Sequence, residues 1–397
     1  MMFSRIVFIL CLCATLPSCY MIRAYRVRDF KLTDHQRMPF VPIKASTEPY
    51  HFIEGSTNND YASLKQYLDS NLKNSLTAAF LVIRNDSIIY ENYFNGFNQQ
   101  SLLPSFSVAK SFVATLVGFA IDEGKIKSTQ DPISNYLPEL LKTDSRYSKI
   151  TLQHLLDMRS GVKFDEGSYG LKDDAIRLGF RPNILKHVLK VKVEKDPGGA
   201  FNYQSVNTEL LALAVERATG KKISAYLQEK IWQPLGAENP ATWNVDSKKH
   251  KQEIAFAGLN ATARDFAKLG QLYLNEGKWN GSQLLNKQWT DLVTNPENFK
   301  KTQGYKNQWW QTIRFFKTTD SLEAVAFRSN HPLSTNIRRE AENYVVGYNA
   351  VPHANGILNQ YIYVFPERNV VIVRLGRNWS HPTKHATAFI YDVGNRL

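Results

Sequence analysis

Two β-hairpins, one near each end of the chain, constrain the fold of this sequence more than any other feature. In the first, β-rich runs at residues 78–84 and 88–94 flank the turn residues Asn85, Asp86 and Ser87. In the second, residues 360–365 and 370–375 flank the turn sequence Pro-Glu-Arg-Asn. Because each hairpin is an antiparallel unit, the two together predict one antiparallel sheet to which both ends of the chain contribute.

Helical patterns fill most of the sequence between the hairpins. Small and apolar side chains cover most faces of residues 107–123, and Gly124 follows them, which predicts a buried central helix. Residues 126–255 hold several amphipathic segments with few strand signals, which predicts an inserted all-helical subdomain. Further helices are predicted at residues 263–277 and 385–393. The expected fold class is therefore α+β, an antiparallel β-sheet flanked by helices with the helical subdomain inserted.

The N-terminus has the pattern of an export signal. After Arg5, residues 6–16 form an apolar run too short to span a bilayer, so we expect residues 1–18 to be a cleaved signal peptide. Residues 16–19, Leu-Pro-Ser-Cys, resemble a bacterial lipobox, in which the cysteine receives a lipid and becomes the mature N-terminus. Cys19 is therefore the expected lipidation site, and the protein is expected to be exported and anchored to a membrane of the cell envelope. The proline in this motif leaves a simple signal peptide or an uncleaved anchor as alternatives.

Composition limits the domain organisation and the partners. The chain has 397 residues, 43% hydrophobic and 21% charged, enough to bury a large core. Residues 19–59 are basic and polar with scattered prolines and predict a tether, so the folded domain is expected at residues 60–395. The formal charge is +13, but no zinc-finger spacing or aromatic and basic recognition motif accompanies it, so no nucleic-acid partner is expected. Three interpretations of the positive charge remain: it binds anionic lipid, it binds a cell-wall polymer, or it belongs to a soluble basic surface with neither partner.

Ser107 and Lys110 form an S-x-x-K motif at the start of the predicted central helix. Side chains at positions i and i+3 lie on the same face of a helix, so the Lys110 amine can reach the Ser107 hydroxyl. A serine hydroxyl is a weak nucleophile until a base removes its proton, and lysine can be that base when burial lowers its pKa. The motif recurs at Ser70 and Ser160, but neither residue opens a long apolar helix, so both copies are interpreted as chance.

Two further segments supply candidate site residues. Tyr203 and Ser205 lie in a loop before a predicted helix, where a tyrosine held near Lys110 could pass a proton to a leaving group. Taken alone, a tyrosine in a loop is more often a packed aromatic residue than a catalytic one.

The second segment precedes the last hairpin and contains Asn355, Gly356 and Leu358. The glycine lets a substrate approach the backbone, and the amides of this segment, together with that of Ser107, could form an oxyanion hole. An ordinary bulge or turn is the alternative.

In chain order, S-x-x-K, Y-x-S and a glycine before a final hairpin resemble the serine β-lactamase and penicillin-binding protein superfamily. Residues 105–112, 152–161, 259–265 and 308–310 also resemble recurrent segments of that family, and the resemblance extends over residues 78–375. It is closest to the branch of class C β-lactamases, esterases and 6-aminohexanoate-dimer hydrolases. The resemblance implies that Ser107 forms an acyl-enzyme, that Lys110 takes its proton and that Tyr203 relays the proton to the leaving group.

Two departures from the family pattern bear on the substrate. Many penicillin-recognising members have Lys or His two residues before the glycine, whereas this chain has Ala354, with His353 beside it. Recognition of a β-lactam carboxylate is therefore not implied. Y-x-S also replaces the Y-x-N of many β-lactamases, which makes Ser205 a hydroxyl that would orient the substrate.

The expected function is hydrolysis of a small amide or ester, with no cofactor and no metal. The nine histidines include no H-E-x-x-H motif, which disfavours a metalloenzyme. β-Lactamase or D-Ala-D-Ala carboxypeptidase activity is one alternative. A surface binding protein that has kept the fold but lost turnover is another.

Overall fold

The computed structural model describes residues 30–55, 61–168, 170–299, 304–330, 336–380 and 385–397, together with Ala24. Its strands are β1 (Phe40–Ile43), β2 (Ile53–Glu54), β3 (Thr77–Arg84), β4 (Ser87–Tyr93), β5 (Leu103–Pro104), β6 (Ala241–Asn244), β7 (Leu259–Ala261), β8 (Lys278–Trp279), β9 (Ser282–Gln283), β10 (Tyr305–Lys306), β11 (Trp309–Thr318), β12 (Arg338–Glu340), β13 (Asn343–Gly356), β14 (Gln360–Phe365) and β15 (Val370–Gly376). Its α-helices are α1 (Ala62–Leu72), α2 (Ala109–Asp122), α3 (Leu152–Leu156), α4 (Asp174–Phe180), α5 (Ile184–Val188), α6 (Ser205–Thr219), α7 (Ile223–Leu227), α8 (Ala263–Leu274), α9 (Lys287–Thr294), α10 (Ser321–Ser329) and α11 (Ala386–Asn395). The expected signal peptide and Cys19 lie outside the described residues.

Nine of the described strands form one large sheet in the order β10-β11-β13-β14-β15-β3-β4-β2, with β12 paired to β13. Both predicted hairpins are present, since β3 pairs with β4 and β14 with β15 in antiparallel register. Asn85 and Asp86 both have a positive φ, 50° and 60°, as a type I′ turn requires. β15 also pairs with β3, so the two ends of the chain meet in the middle of the sheet. The predicted antiparallel sheet is confirmed, apart from the two-residue strand β2, which is parallel to β4.

Helices cover both faces of this sheet. On one face, α8 packs against β14 and β15, and Gly270 permits a close approach because an added Cβ would lie 2.7 Å from Val371. The central helix α2 belongs to the same core and is buried from Ala109 to Ala120, as predicted. α1 and α11 pack against the opposite face. The nucleophile candidate Ser107 therefore lies directly before a buried helix.

Short helices occupy most of the region predicted to be the helical subdomain. The short 3-10 helices Ile133–Asn135, Pro138–Lys142 and Ser145–Lys149 precede α3, and α4 to α7 follow. The predicted limit at residue 255 is wrong, because β6 follows α7 and its partners β1 and β7 belong to a second sheet. In the described chain this sheet has four strands in the order β1-β6-β7-β5.

The predicted tether at residues 19–59 is wrong for residues 30–55. β1 pairs antiparallel with β6, with Ile43 opposite Ala241. Leu32, Ile43 and Phe52 are buried in the main core. The proline of β1 is accommodated because β1 is an edge strand, where a missing N–H costs no hydrogen bond inside the sheet. This segment is therefore part of the folded domain.

No described helix is long and apolar enough to cross a membrane.

Candidate active site

Ser107 lies in a tight turn between the small sheet and the central helix. The Ser105 N–H donates to the carbonyl of Leu259 at 2.9 Å, which fixes the start of the turn against β7. Phe106 then has a φ of +44°, a conformation that a residue with a Cβ adopts only when its surroundings impose it. The 3-10 turn Phe106–Val108 follows and leads directly into α2. This turn places Ser107 in the wall of a cavity.

Lys110 lies one helical turn beyond Ser107, as the motif predicts. Its Nζ is 2.9 Å from Ser107 Oγ and donates to the carbonyl of Phe256 at 3.2 Å. The side chain is buried, and burial lowers the pKa of Lys110 to about 8, although the carboxyl groups of Glu166 and Glu209 raise it. An amine with this pKa is partly unprotonated near neutral pH, so it can accept the serine proton.

Tyr203 lies beside Lys110. The Lys110 Nζ is 5.0 Å from the centroid of the Tyr203 ring. This ring stacks on Trp310, with centroids 5.5 Å apart and an interplanar angle of 30°, and meets Tyr305 edge-on at 5.9 Å. The structure therefore brings Tyr203 to the serine and lysine, and two aromatic neighbours hold it in place.

Ser205 opens α6 and contacts a residue that the sequence did not identify. Its hydroxyl donates to Glu166 Oε1 at 2.7 Å, and its backbone N–H donates to Oε2 of the same carboxylate. The hydroxyl proton is thus engaged with Glu166 and is not available to donate to a substrate. Glu166 lines the cavity with Ser107 and Tyr203. Burial raises the pKa of Glu166, while the nearby Lys110 amine and the two Ser205 hydrogen bonds lower it.

Glu209 is a second carboxyl group near Lys110. It is fully buried on α6, and one of its oxygens accepts the Ala255 N–H at 2.9 Å. Burial raises the pKa of Glu209 well above its ordinary value, and Glu216, Glu253 and Asp246 raise it further. Burial thus favours the neutral form of Glu209, and its hydrogen bond to Ala255 holds the segment whose next carbonyl, at Phe256, accepts from Lys110.

Gly356 brings the end of β13 against the turn Phe106–Val108, which we call the nucleophile turn. A Cβ added at Gly356 would lie 2.5 Å from the carbonyl oxygen of Ser105 and 3.2 Å from the backbone nitrogen of Ser107. Asn355, Gly356 and Leu358 all line the cavity, so the structure places this segment beside Ser107. Leu358 has a φ of +63°, and its carbonyl accepts hydrogen bonds from Arg374 Nη1 at 3.1 Å and Gln360 Nε2 at 3.2 Å. These bonds fix the turn that follows the strand.

The strand places no positive charge in the cavity at the two positions before Asn355. Ala354 packs into the main core, and His353 stacks on Tyr363 with ring centroids 4.4 Å apart. Burial lowers the pKa of His353 to about 4, so its imidazole is neutral at physiological pH. Neither residue lines the cavity. A substrate carboxylate would therefore find no cationic partner at these positions.

The cavity has a volume of about 520 Å³, a size that suits a small molecule. One wall comes from the N-terminal segment that the sequence predicted to be a tether, through Phe30, Lys31, Asp34, His35 and Met38. The remaining walls are mainly apolar and aromatic, and include Phe106, Ile176, Phe180, Ile254, Phe256, Trp310 and Ile357.

The other two S-x-x-K copies have different surroundings. The Ser70 hydroxyl donates to the carbonyl of Tyr67 at 2.9 Å, and the Ser160 hydroxyl donates to Asn207 Oδ1 at 2.6 Å. Each hydroxyl is satisfied within its own structural element or by a neighbouring helix, which agrees with their interpretation as chance. Across the described ranges, no group of three or more His, Cys, Asp or Glu side chains is placed to hold a metal ion.

A large sheet covered by helices on both faces, with a serine and lysine pair on a buried helix, defines the class of β-lactamase-like serine hydrolases. The family model for β-lactamase matches residues 64–392, and the chain belongs to this family.

Two curated relatives and one solved structure show the similarity in detail. The 6-aminohexanoate-dimer hydrolase of Paenarthrobacter ureafaciens is 30% identical over 266 residues, which are 62% of this chain and 67% of that protein. Esterase EstB of Burkholderia gladioli is 28% identical over 152 residues, only 35% of this chain and 38% of that esterase. A Bacillus anthracis structure with a provisional assignment as a 6-aminohexanoate-dimer hydrolase has a TM-score of 0.70 at 25% identity, covering 94% of both chains.

Proposed function

We propose that this protein hydrolyses a small amide or ester through an acyl-enzyme on Ser107. The observation that carries the proposal is the 2.9 Å contact between Ser107 Oγ and the Nζ of Lys110, a buried amine with a pKa lowered to about 8. A neutral amine at that distance is within reach to act as general base.

In the first step, Lys110 takes the Ser107 hydroxyl proton while Oγ bonds to the substrate carbonyl carbon. The carbonyl oxygen becomes an oxyanion, which we expect the Ser107 N–H and the backbone after Gly356 to stabilise. The bond to the leaving group then breaks, Tyr203 gives its hydroxyl proton to the departing amine or alcohol, and the Lys110 ammonium returns the serine proton to Tyr203. In the second step, a water molecule gives a proton to the same groups and its oxygen attacks the acyl carbon, which releases the acid and restores the serine hydroxyl.

The cavity favours a substrate with apolar groups next to the scissile bond. Its aromatic walls include Phe106, Phe256 and Trp310, and neither His353 nor Ala354 supplies a cation for a carboxylate. The relatives support the two bond types, because a dimer of an amino acid is joined by an amide, and an esterase cleaves an ester. β-Lactams and D-Ala-D-Ala peptides, which carry a carboxylate near the scissile bond, are expected to be poorer substrates.

The test is hydrolysis of p-nitrophenyl acetate and of a matched p-nitroanilide by protein that begins at residue 20, with Ser107→Ala as the control. The proposal expects turnover by the unmutated protein and none above background by Ser107→Ala, with unchanged thermal unfolding. Equal hydrolysis by both proteins would reject Ser107 as the nucleophile. If neither protein turns over any substrate but both bind the same small amides, a binding function replaces the hydrolase proposal.

We also propose that the protein is exported and carries a lipid on Cys19, which anchors it to a membrane of the cell envelope. The proposal rests on the apolar run at residues 6–16 and the lipobox-like residues 16–19. Cells that express the full chain should incorporate labelled palmitate into it, and Cys19→Ala should abolish the label. Labelling that survives this change would contradict the proposed site.

A further inference from the structure

Glu166 is a carboxylate in the wall of the cavity that the reaction described above does not use. Both of its oxygens accept hydrogen bonds from one residue, Ser205, through the hydroxyl at 2.7 Å and the backbone N–H. Ser205 follows Tyr203 by two positions, so the same short segment fixes Glu166 and the tyrosine. A carboxylate held in this way cannot rotate away from the site.

Lys110 has few groups around its amine that could balance a positive charge. Its Nζ contacts the Ser107 hydroxyl and the Phe256 carbonyl, and it lies over the rings of Tyr203 and Phe256 at 5.0 and 5.4 Å. Among the described residues, the ionisable groups that act on its charge are Glu166 and Glu209. The balance of charge at Lys110 therefore depends on which of these two carboxyl groups is ionised.

The surroundings of the two carboxyl groups differ. Glu209 is fully buried and faces other acids, Glu216, Glu253 and Asp246, all of which favour its neutral form. One of its oxygens, Oε1, is buried with no hydrogen-bond partner in the described structure, so the ionised form has no donor there.

Glu166 instead borders the cavity and receives two hydrogen bonds from Ser205. Burial raises the pKa of Glu166 and Asp173 raises it further, whereas the Lys110 amine and the two hydrogen bonds from Ser205 lower it. Glu166 is thus the carboxylate that can carry a negative charge beside the lysine.

Proton transfer from Ser107 creates a charge that this site must accommodate. When the Oγ–H bond breaks, the proton moves to Nζ and the electron pair of Oγ forms the bond to the carbonyl carbon. The resulting ammonium group is buried, and an unpaired buried charge is costly. A fixed carboxylate nearby lowers that cost without taking the proton, as the aspartate does for the histidine of the Ser-His-Asp triad.

We propose that Glu166 is a positioning residue of the hydrolase, which stabilises the Lys110 ammonium formed during acylation and is itself fixed by Ser205. This inference rests on the proposed function of Ser107 and Lys110. It assigns the Ser205 position to orienting the carboxylate and not to binding the substrate.

The experiment compares pH profiles of kcat and kcat/KM for p-nitrophenyl acetate between the unmutated protein and Glu166→Gln. Removal of the negative charge lowers the pKa of Lys110, so the acid limb of the profile should move to lower pH by about one unit. The plateau of kcat should fall about tenfold or more, because the ammonium loses its counter-charge. A residue with only a structural role would lower the rate without moving the limb.

Two further variants make the result decisive. Glu209→Gln is a matched control, since burial and three neighbouring acids favour the neutral form of Glu209, and it should move the acid limb less than Glu166→Gln does. Glu166→Asp keeps the charge and should restore the limb to its original pH even where kcat stays low. The inference is overturned if Glu166→Gln leaves the limb unmoved, or if Glu209→Gln moves it equally. If hydrolysis by the unmutated protein does not depend on Ser107, it is the proposed function that fails.

Discussion

Replacement of Gly356 by alanine tests how closely the end of β13 must approach the nucleophile turn. The added Cβ would lie 2.5 Å from the Ser105 carbonyl oxygen. Carbon and oxygen atoms of neighbouring chains approach to about 3.3 Å, so the two segments must separate by about 0.8 Å. The backbone nitrogen of Ser107, 3.2 Å from the same Cβ, would move with its turn.

A displacement of this size affects catalysis more than folding. Misplacement of reacting groups by about 1 Å can lower a rate about a hundredfold, and we expect that loss in kcat/KM for Gly356→Ala. Overpacking of this kind costs about 1–3 kcal/mol, which leaves most of the stability of an ordinary domain. Steady-state hydrolysis of p-nitrophenyl acetate measures the first effect, and urea unfolding measures the second.

Gly170→Ala is the matched control, because a Cβ at Gly170 would meet nothing closer than 3.9 Å. It should retain full activity. If Gly356→Ala hydrolyses the ester at the original rate, the end of β13 does not shape the site, and its assignment to the oxyanion hole is wrong.

Three further predictions concern the base, the tyrosine and the N-terminal segment. Lys110 acts as a base in its neutral form, and its pKa is lowered to about 8, so kcat/KM should rise as the pH increases through about 8. A value of kcat/KM that stays constant over about pH 6 to 9, on both sides of that pKa, would exclude this lysine as the base. Tyr203→Phe should lower anilide hydrolysis about a hundredfold but p-nitrophenyl ester hydrolysis much less, because p-nitrophenolate leaves without a proton; equal losses for both substrates would contradict proton donation by Tyr203. Ile43→Ala should lower the free energy of unfolding by about 2–5 kcal/mol in urea titrations, because Ile43 is fully buried. An unchanged urea midpoint would indicate that this segment is a tether and not part of the folded domain.

The features that the sequence predicted correctly depend on local rules. The turn at Asn85 and Asp86 requires residues that tolerate a positive φ, and the flanking runs of β-branched and aromatic residues then give the hairpin. The contact between Ser107 and Lys110 follows from helical spacing alone. The hairpin and the contact between the two side chains could be predicted without knowing which distant segments of the chain pack together.

The features that the sequence missed depend on contacts between distant parts of the chain. β1 contains only four residues, including a proline, and it becomes a strand because β6 pairs with it from far along the chain. The sequence did not predict β6 for the same reason, because this strand lies within a region whose pattern is otherwise helical. Glu166 is one acidic residue in a polar loop, and only the folded chain brings it to Ser205 and Lys110. Tertiary contact, and not local propensity, decides all three.

The acyl-enzyme on Ser107 is the central claim, and its direct test is a mass measurement. The protein is mixed with p-nitrophenyl acetate, quenched with acid during turnover, digested and analysed by peptide mass spectrometry. We predict one acetyl group on the peptide that contains Ser107, and none on the same peptide from Ser107→Ala. Acetylation at another residue in a protein that turns over normally, or turnover by Ser107→Ala, would contradict the account.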